Sequence, residues 1–111
     1  MEALVRQIKR FASERDWDQF HAPKNLAMAL SVEVAELVEI FQWLSEDESY
    51  RLDSRARGHL AEEIGDVLIY LTGLAAKFDI DPVEAAHRKL LLNERKYPVE
   101  TTRGSRRKQR R

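Results

Sequence analysis

The stretch Asn25–Trp43, NLAMALSVEVAELVEIFQW, decides how this chain is read. Leu, Val, Ala, Ile, Met and Phe fill most of it, yet Glu33, Glu36 and Glu39 recur at i, i+3, i+6, and no Lys or Arg stands between Asn25 and Ser45. At about 100° per residue, Glu33 falls within ~40° of Leu26, Leu37, Ile40 and Leu44, and Glu36 lies about 60° further round. Two carboxylates thus share an apolar face, where a surface helix would carry Leu. Ionised carboxylates taken out of water cost several kcal/mol each, so they are paired, protonated or held on a cation.

A second acidic pair, Glu63 and Asp66 in HLAEEIGDVLIYL, repeats the i, i+3 spacing thirty residues on. Four carboxylates converging from two antiparallel helices make an all-oxygen site, suited to Mg²⁺ or Mn²⁺. Glu39 and Glu62 fall off the shared face and read equally well as surface residues. Taken alone, Glu33 and Glu36 also fit a solvated or salt-bridged helix face; the second pair is what tips the balance.

Outward from this stretch, the pattern is helical throughout. Leu4, Val5, Ile8, Phe11 and Ala12 give a first amphipathic helix over about Glu2–Glu14. RDWDQFHAPKN, with Pro23, reads as an aromatic-rich loop, and Asn25 as the N-cap of a helix reaching about Leu44. SEDESYRLDS should be an exposed connection holding at most a short helical turn. A third helix runs from about Arg55 to Phe78, with a core stripe of Leu60, Ile64, Val67, Leu71, Leu74 and Phe78. Asp81-Pro82 opens a fourth, through about Arg95, which Tyr97-Pro98 ends. No period-two alternation or hairpin signal occurs, so the expected fold is all-α with four helices. The second helix is apolar nearly all round, which predicts a homo-oligomer.

The chain's 111 residues suggest one domain, taken as residues 1–98, and no cysteine is available for disulfides or thiolate metal sites, which fits a cytoplasmic setting. Neither a signal peptide nor a membrane span is expected. The zero net charge hides five net positive charges in residues 99–111 and five net negative in the rest. That basic tail is expected to be disordered and solvated, with nucleic-acid binding an unfavoured reading. Glu84 and His87 mimic one ExxH of a di-iron bundle, but such bundles need two.

Glu33-Val-Ala-Glu36 and Glu63-Ile-Gly-Asp66, joined to ERDWDQFHAPKNL, FQW and NERKYP, resemble the all-α nucleoside triphosphate pyrophosphohydrolases of the MazG-like superfamily, and within it the dCTP pyrophosphatase branch. The resemblance covers residues 2–98. Val32 stands where the wider superfamily places the first Glu of its EExxE signature. The resemblance implies that Glu33, Glu36, Glu63 and Asp66 ligate Mg²⁺, with Glu36 the choice for activating water. It implies a base pocket lined by Trp17, His21 and Trp43, with Phe20 alongside, and sugar and phosphate contacts from Tyr70, Lys89, Asn93 and Tyr97. Lys77 and Arg95 are further phosphate candidates. Without the resemblance, Trp17 and Trp43 read as core or interface aromatics, and His21 as a surface residue. The implied reaction converts a nucleoside triphosphate, dCTP or a modified dCTP, into a monophosphate and pyrophosphate, in a homo-oligomer that is a tetramer ahead of a dimer. The competing function is a catalytically silent nucleotide-binding or protein-interaction module.

Overall fold

Pro23, not Asn25, starts the central helix. A proline at the first helical position gives up no hydrogen bond, because the amides of the first turn lack helical partners in any case. Asn25 sits inside that first turn, and its Nδ2 donates back to the Phe20 carbonyl at 3.1 Å, fastening the preceding aromatic segment to the helix start.

The computed structural model describes residues 1–104, and every regular element among them is helical. The order is α1 (Glu2–Glu14), a 3₁₀ turn (Asp18–Phe20), α2 (Pro23–Phe41), α3 (Glu46–Ser49), α4 (Ser54–Ala76), α5 (Pro82–Lys96) and α6 (Val99–Thr102). Six α-helices are thus described where the sequence suggested four; α3 and α6 are single turns. α6 occupies the start of the expected tail, whose remainder, residues 105–111, lies outside the described residues. α2 stops at Phe41, so Gln42 and Trp43 lie in the turn beyond it rather than on the helix.

Local chemistry explains the boundaries. Ser45 and Glu48 form a reciprocal cap on α3: the Ser45 Oγ accepts from the Glu48 amide at 3.1 Å, and Glu48 Oε1 accepts from the Ser45 amide at 2.8 Å. Asp53 caps α4 through the Ala56 amide at 2.8 Å, and Asp81 caps α5 through the amides of Val83 and Glu84. Asp16 and Asp79 adopt the left-handed region, at φ 54° and 53°. Each follows a long helix and turns the chain away from it.

α2 and α4 form the main packing pair, with α1 laid on α4 and α5 touching α4 only slightly. Few residues are fully enclosed: Ala12, Leu26, Glu63 and Thr72. The core stripe expected on α4 is half open, with Ile64 at 51% and Phe78 at 60% exposure. Periodicity located the apolar face but could not say that one chain leaves part of it uncovered. The radius of gyration, 17.4 Å, exceeds the roughly 13 Å of a compact domain of this length.

Gly58, in the first half of α4, has nothing within 4 Å of where a Cβ would stand. Gly58→Ala should therefore stabilise the protein by about 0.5–1 kcal/mol, through helix propensity and a less flexible unfolded chain. Thermal denaturation checks this, and an unchanged or lowered midpoint would show that the position is in contact with something else.

Candidate active site

Glu33 and Glu36 come from consecutive turns of α2, and Glu63 from the third turn of α4, which packs against it. Each offers a carboxylate oxygen within 4.8 Å of the other two. At that spacing like charges repel by roughly 3–4 kcal/mol per pair at an effective dielectric constant near 20. No Lys or Arg forms an ion pair with any of the three among the described residues. The expected fourth acid, Asp66, is not within that tight group, but its charge reaches Glu33.

The two most enclosed members carry the strongest signal. Glu33 Oε2 and Glu63 Oε2 are both shielded from water and make no hydrogen bond. The other oxygen of Glu63, Oε1, lies 3.4 Å from His59 Nε2, one turn earlier on α4. Sequence reasoning passed over His59, although its i, i+4 spacing to Glu63 marks the pair as neighbours. Burial pushes the Glu33 carboxyl up to about 7, and hydrogen bonding to Glu63, the charges of Glu36 and Asp66, and a contact with Glu36 push the same way. A hard divalent cation fits this donor set. It would take up the unpartnered oxygens and relieve the repulsion, and oxygen-only ligands are what Mg²⁺ and Mn²⁺ prefer.

Further along α4, a cavity of about 280 Å³ opens between α4, α1 and the 3₁₀ turn. Val5, Ile8, Ala12, Leu26, Ile69 and Ala76 make it largely apolar. His21 and Tyr70, both expected at a nucleotide site, line it together. Tyr70 is four residues beyond Asp66, about 6 Å along the helix axis, so the cavity adjoins the acidic seam. Lys77 also lines it, as do Lys9, Asp18 and Thr72, which the sequence reading did not assign.

The other expected residues stand elsewhere. Trp17 packs edge-on against Phe11, ring centroids 5.5 Å apart, and is not on the cavity wall. Trp43 is 87% exposed in the turn after α2. Lys89, Asn93 and Tyr97 belong to α5 and its end, away from the cavity lining; the Tyr97 ring lies 5.3 Å from the Lys96 ammonium. A single chain thus brings together three of the four acids and two of the seven expected substrate contacts.

Known proteins share both the sequence and the shape. Residues 28–110 match the MazG-like family. The human protein dCTP pyrophosphatase 1 is 46% identical over 110 residues, which cover 97% of this chain and 65% of that protein. The bovine protein of the same name is 46% identical over 107 residues, covering 95% and 63%. This chain therefore spans just under two thirds of the length of these mammalian relatives. A crystal structure of a pyrophosphatase from Archaeoglobus fulgidus superposes with a TM-score of 0.83 at 50% identity, over 88% of this chain and 92% of that one.

The raised Glu33 carboxyl has a consequence for stability. Between the ordinary carboxyl value of 4.5 and about 7, the folded chain keeps a proton that the unfolded chain has released. Stability therefore falls as pH rises through that window. In the absence of divalent metal, the melting temperature of the native sequence should decline more steeply across it than that of Glu33→Gln, which lacks the titration. Parallel profiles would remove Glu33 as the source.

Proposed function

The chain belongs to the MazG-like family, and we propose that it hydrolyses a nucleoside triphosphate, dCTP or a modified dCTP, at the α–β phosphoanhydride, with Mg²⁺ as cofactor and Mn²⁺ as a substitute. The observation that carries this reading is the set of unpaired, partly buried carboxylates at the α2–α4 seam beside a mostly apolar cavity. The seam suits a cation that grips phosphates, and the cavity suits a base.

Glu33, Glu36, Glu63 and Asp66 would hold the metal, which when bound supplies charge neutralisation at the phosphates and makes a nearby water more acidic. Glu36 then orients that water and accepts its proton. The water oxygen bonds to the α-phosphorus as the bond from that phosphorus to the bridging oxygen breaks, and pyrophosphate leaves. His21 and Tyr70 flank the cavity, where an aromatic face against the base contributes about 1–3 kcal/mol with little regard to base identity. Such chemistry suits clearance of unwanted nucleotides from the cytoplasmic pool. No helix of the described residues is long and apolar enough to cross a membrane.

A homo-oligomer, a tetramer ahead of a dimer, completes the proposal. The accessible surface is 9529 Å², against roughly 6,300 Å² for a compact 13.0 kDa monomer. Leu90, Leu91 and Leu92 are each more than half exposed on α5, an apolar run that a lone soluble chain rarely displays. A second copy would cover these leucines and bring Trp17, Trp43, Lys89, Asn93 and Tyr97 to the nucleotide. Residues 1–98 form the catalytic unit in this reading, with the basic segment beyond them as an appendage.

Incubation of the protein with Mg²⁺ and a panel of ribo- and deoxynucleoside triphosphates should release pyrophosphate, with dCTP preferred. Glu36→Ala and Asp66→Ala should each lower kcat by roughly 10²–10⁴-fold with helicity by circular dichroism intact. Near-native turnover by either variant would overturn the site assignment. Nucleotide binding with no pyrophosphate release under any divalent metal would favour the silent binding module instead. Light scattering should give a mass above that of one chain, and a monomer at micromolar concentration would defeat the oligomeric reading.

A further inference from the structure

The ion pairs among the described residues all join positions i and i+4 of one helix or its edge. Arg10–Glu14, Arg51–Asp47 and Arg88–Glu84 each link side chains that are more than half exposed, as a solvated helix surface does. Such pairs contribute little. His59–Glu63 differs from them in burial. The His59 side chain is 55% exposed and that of Glu63 only 8%, so a surface imidazole reaches in to a carboxylate that the packing has enclosed.

The two oxygens of Glu63 have different surroundings. Oε1 lies 3.4 Å from His59 Nε2, whereas Oε2 is cut off from water and makes no hydrogen bond. Glu33, Glu36 and Glu63 each offer an oxygen within 4.8 Å of the others, and His59 stands outside that group. The ring is therefore behind Glu63 and not a ligand beside it. The last torsion of a glutamate side chain is broad and two-fold, so nothing within Glu63 itself holds the carboxylate at one angle. A donor on one oxygen does hold it. The imidazole supplies that donor whether neutral with its proton on Nε2 or charged. In metal sites the ligating carboxylates are themselves held by hydrogen bonds, and losing such a partner costs about 10–100-fold in metal affinity or activity.

We propose that His59 is a positioning residue for the divalent metal: its Nε2–H donates to Glu63 Oε1 and turns Oε2 toward the oxygens of Glu33 and Glu36. This rests on the metal-dependent reading above and adds a residue to it. In this role His59 touches neither metal nor nucleotide and acts through Glu63. Because more than half of its side chain is exposed, replacing it removes little packing.

The experiment compares the native protein, His59→Ala and His59→Gln. Alanine has no donor, while the glutamine amide nitrogen stands as many bonds from the backbone as the histidine Nε2 and donates as it does. Mn²⁺ affinity without nucleotide is read from the electron paramagnetic resonance signal of free Mn²⁺. The Mg²⁺ concentration giving half-maximal pyrophosphate release is read with dCTP. His59→Ala should weaken Mn²⁺ binding and raise the Mg²⁺ requirement, each by about 10–100-fold, and His59→Gln should recover most of both. A surface pair with no part in metal binding would move only the metal-free melting temperature and leave Mn²⁺ affinity unchanged. That result would overturn the assignment, as would a glutamine variant that binds Mn²⁺ as weakly as the alanine one. Mn²⁺ binding that depends on His59, with no triphosphate hydrolysed, would sink the pyrophosphohydrolase reading and spare His59. A native protein that binds no Mn²⁺ would sink the metal site and the role of His59 together.

Discussion

Mutual repulsion among carboxylates at a helix seam is the constraint on which the rest of this structure depends. Glu33 and Glu63 each place one oxygen out of reach of water and give it no donor. A fold can hold such groups only by neutralising them, and no Lys or Arg is paired with them among the described residues. A proton serves at Glu33 under mildly acidic conditions, which is why its carboxyl is pushed up to about 7. A divalent cation serves better, because it answers several carboxylates at once. The long α2–α4 contact is thus both scaffold and site: the packing that covers Leu26 also encloses Glu63.

A division of labour follows along α4. Its middle carries Glu63 and Asp66, and its last turns, with the Lys77 that follows them, carry the cavity wall from Ile69 onward. A single helix therefore sets the spacing between these acids and the cavity. The rigidity of a regular helix preserves that spacing without a loop having to be ordered first. α1 contributes the opposite wall through Val5 and Ile8, so the cavity exists only once α1 has docked.

Much of this was legible in the residue order, for physical reasons that differ from element to element. The acids on an apolar stripe announced themselves because charge and periodicity conflict there. Asp81-Pro82 gave the start of α5 because a cap and a fixed φ coincide. Pro23 carried the same signal, but the neighbouring Asn25 offered a competing cap; its side chain instead makes a local bond back to Phe20. The α4 stripe misled in a different way: hydrophobic periodicity reports that a face is covered by something, and cannot say whether the cover is the same chain. That is why Ile64 and Phe78 look like core in the sequence and stand exposed in the fold. Trp17, Trp43 and the α5 residues entered through resemblance alone, and a single chain does not gather them.

The two aspartates in the left-handed region, Asp16 and Asp79, bear on how this sequence can drift. Few side chains tolerate that backbone: glycine without penalty, asparagine and aspartate with little, and β-branched residues at a real cost. Both glycine and asparagine are a single base change from an aspartate codon, and so is valine. Neutral variation at these two corners is therefore channelled into a narrow set of codons, while the exposed helix positions around them are free to vary widely. In a lineage of such proteins, these corners would be the places where a surface residue changes slowly without touching substrate or metal.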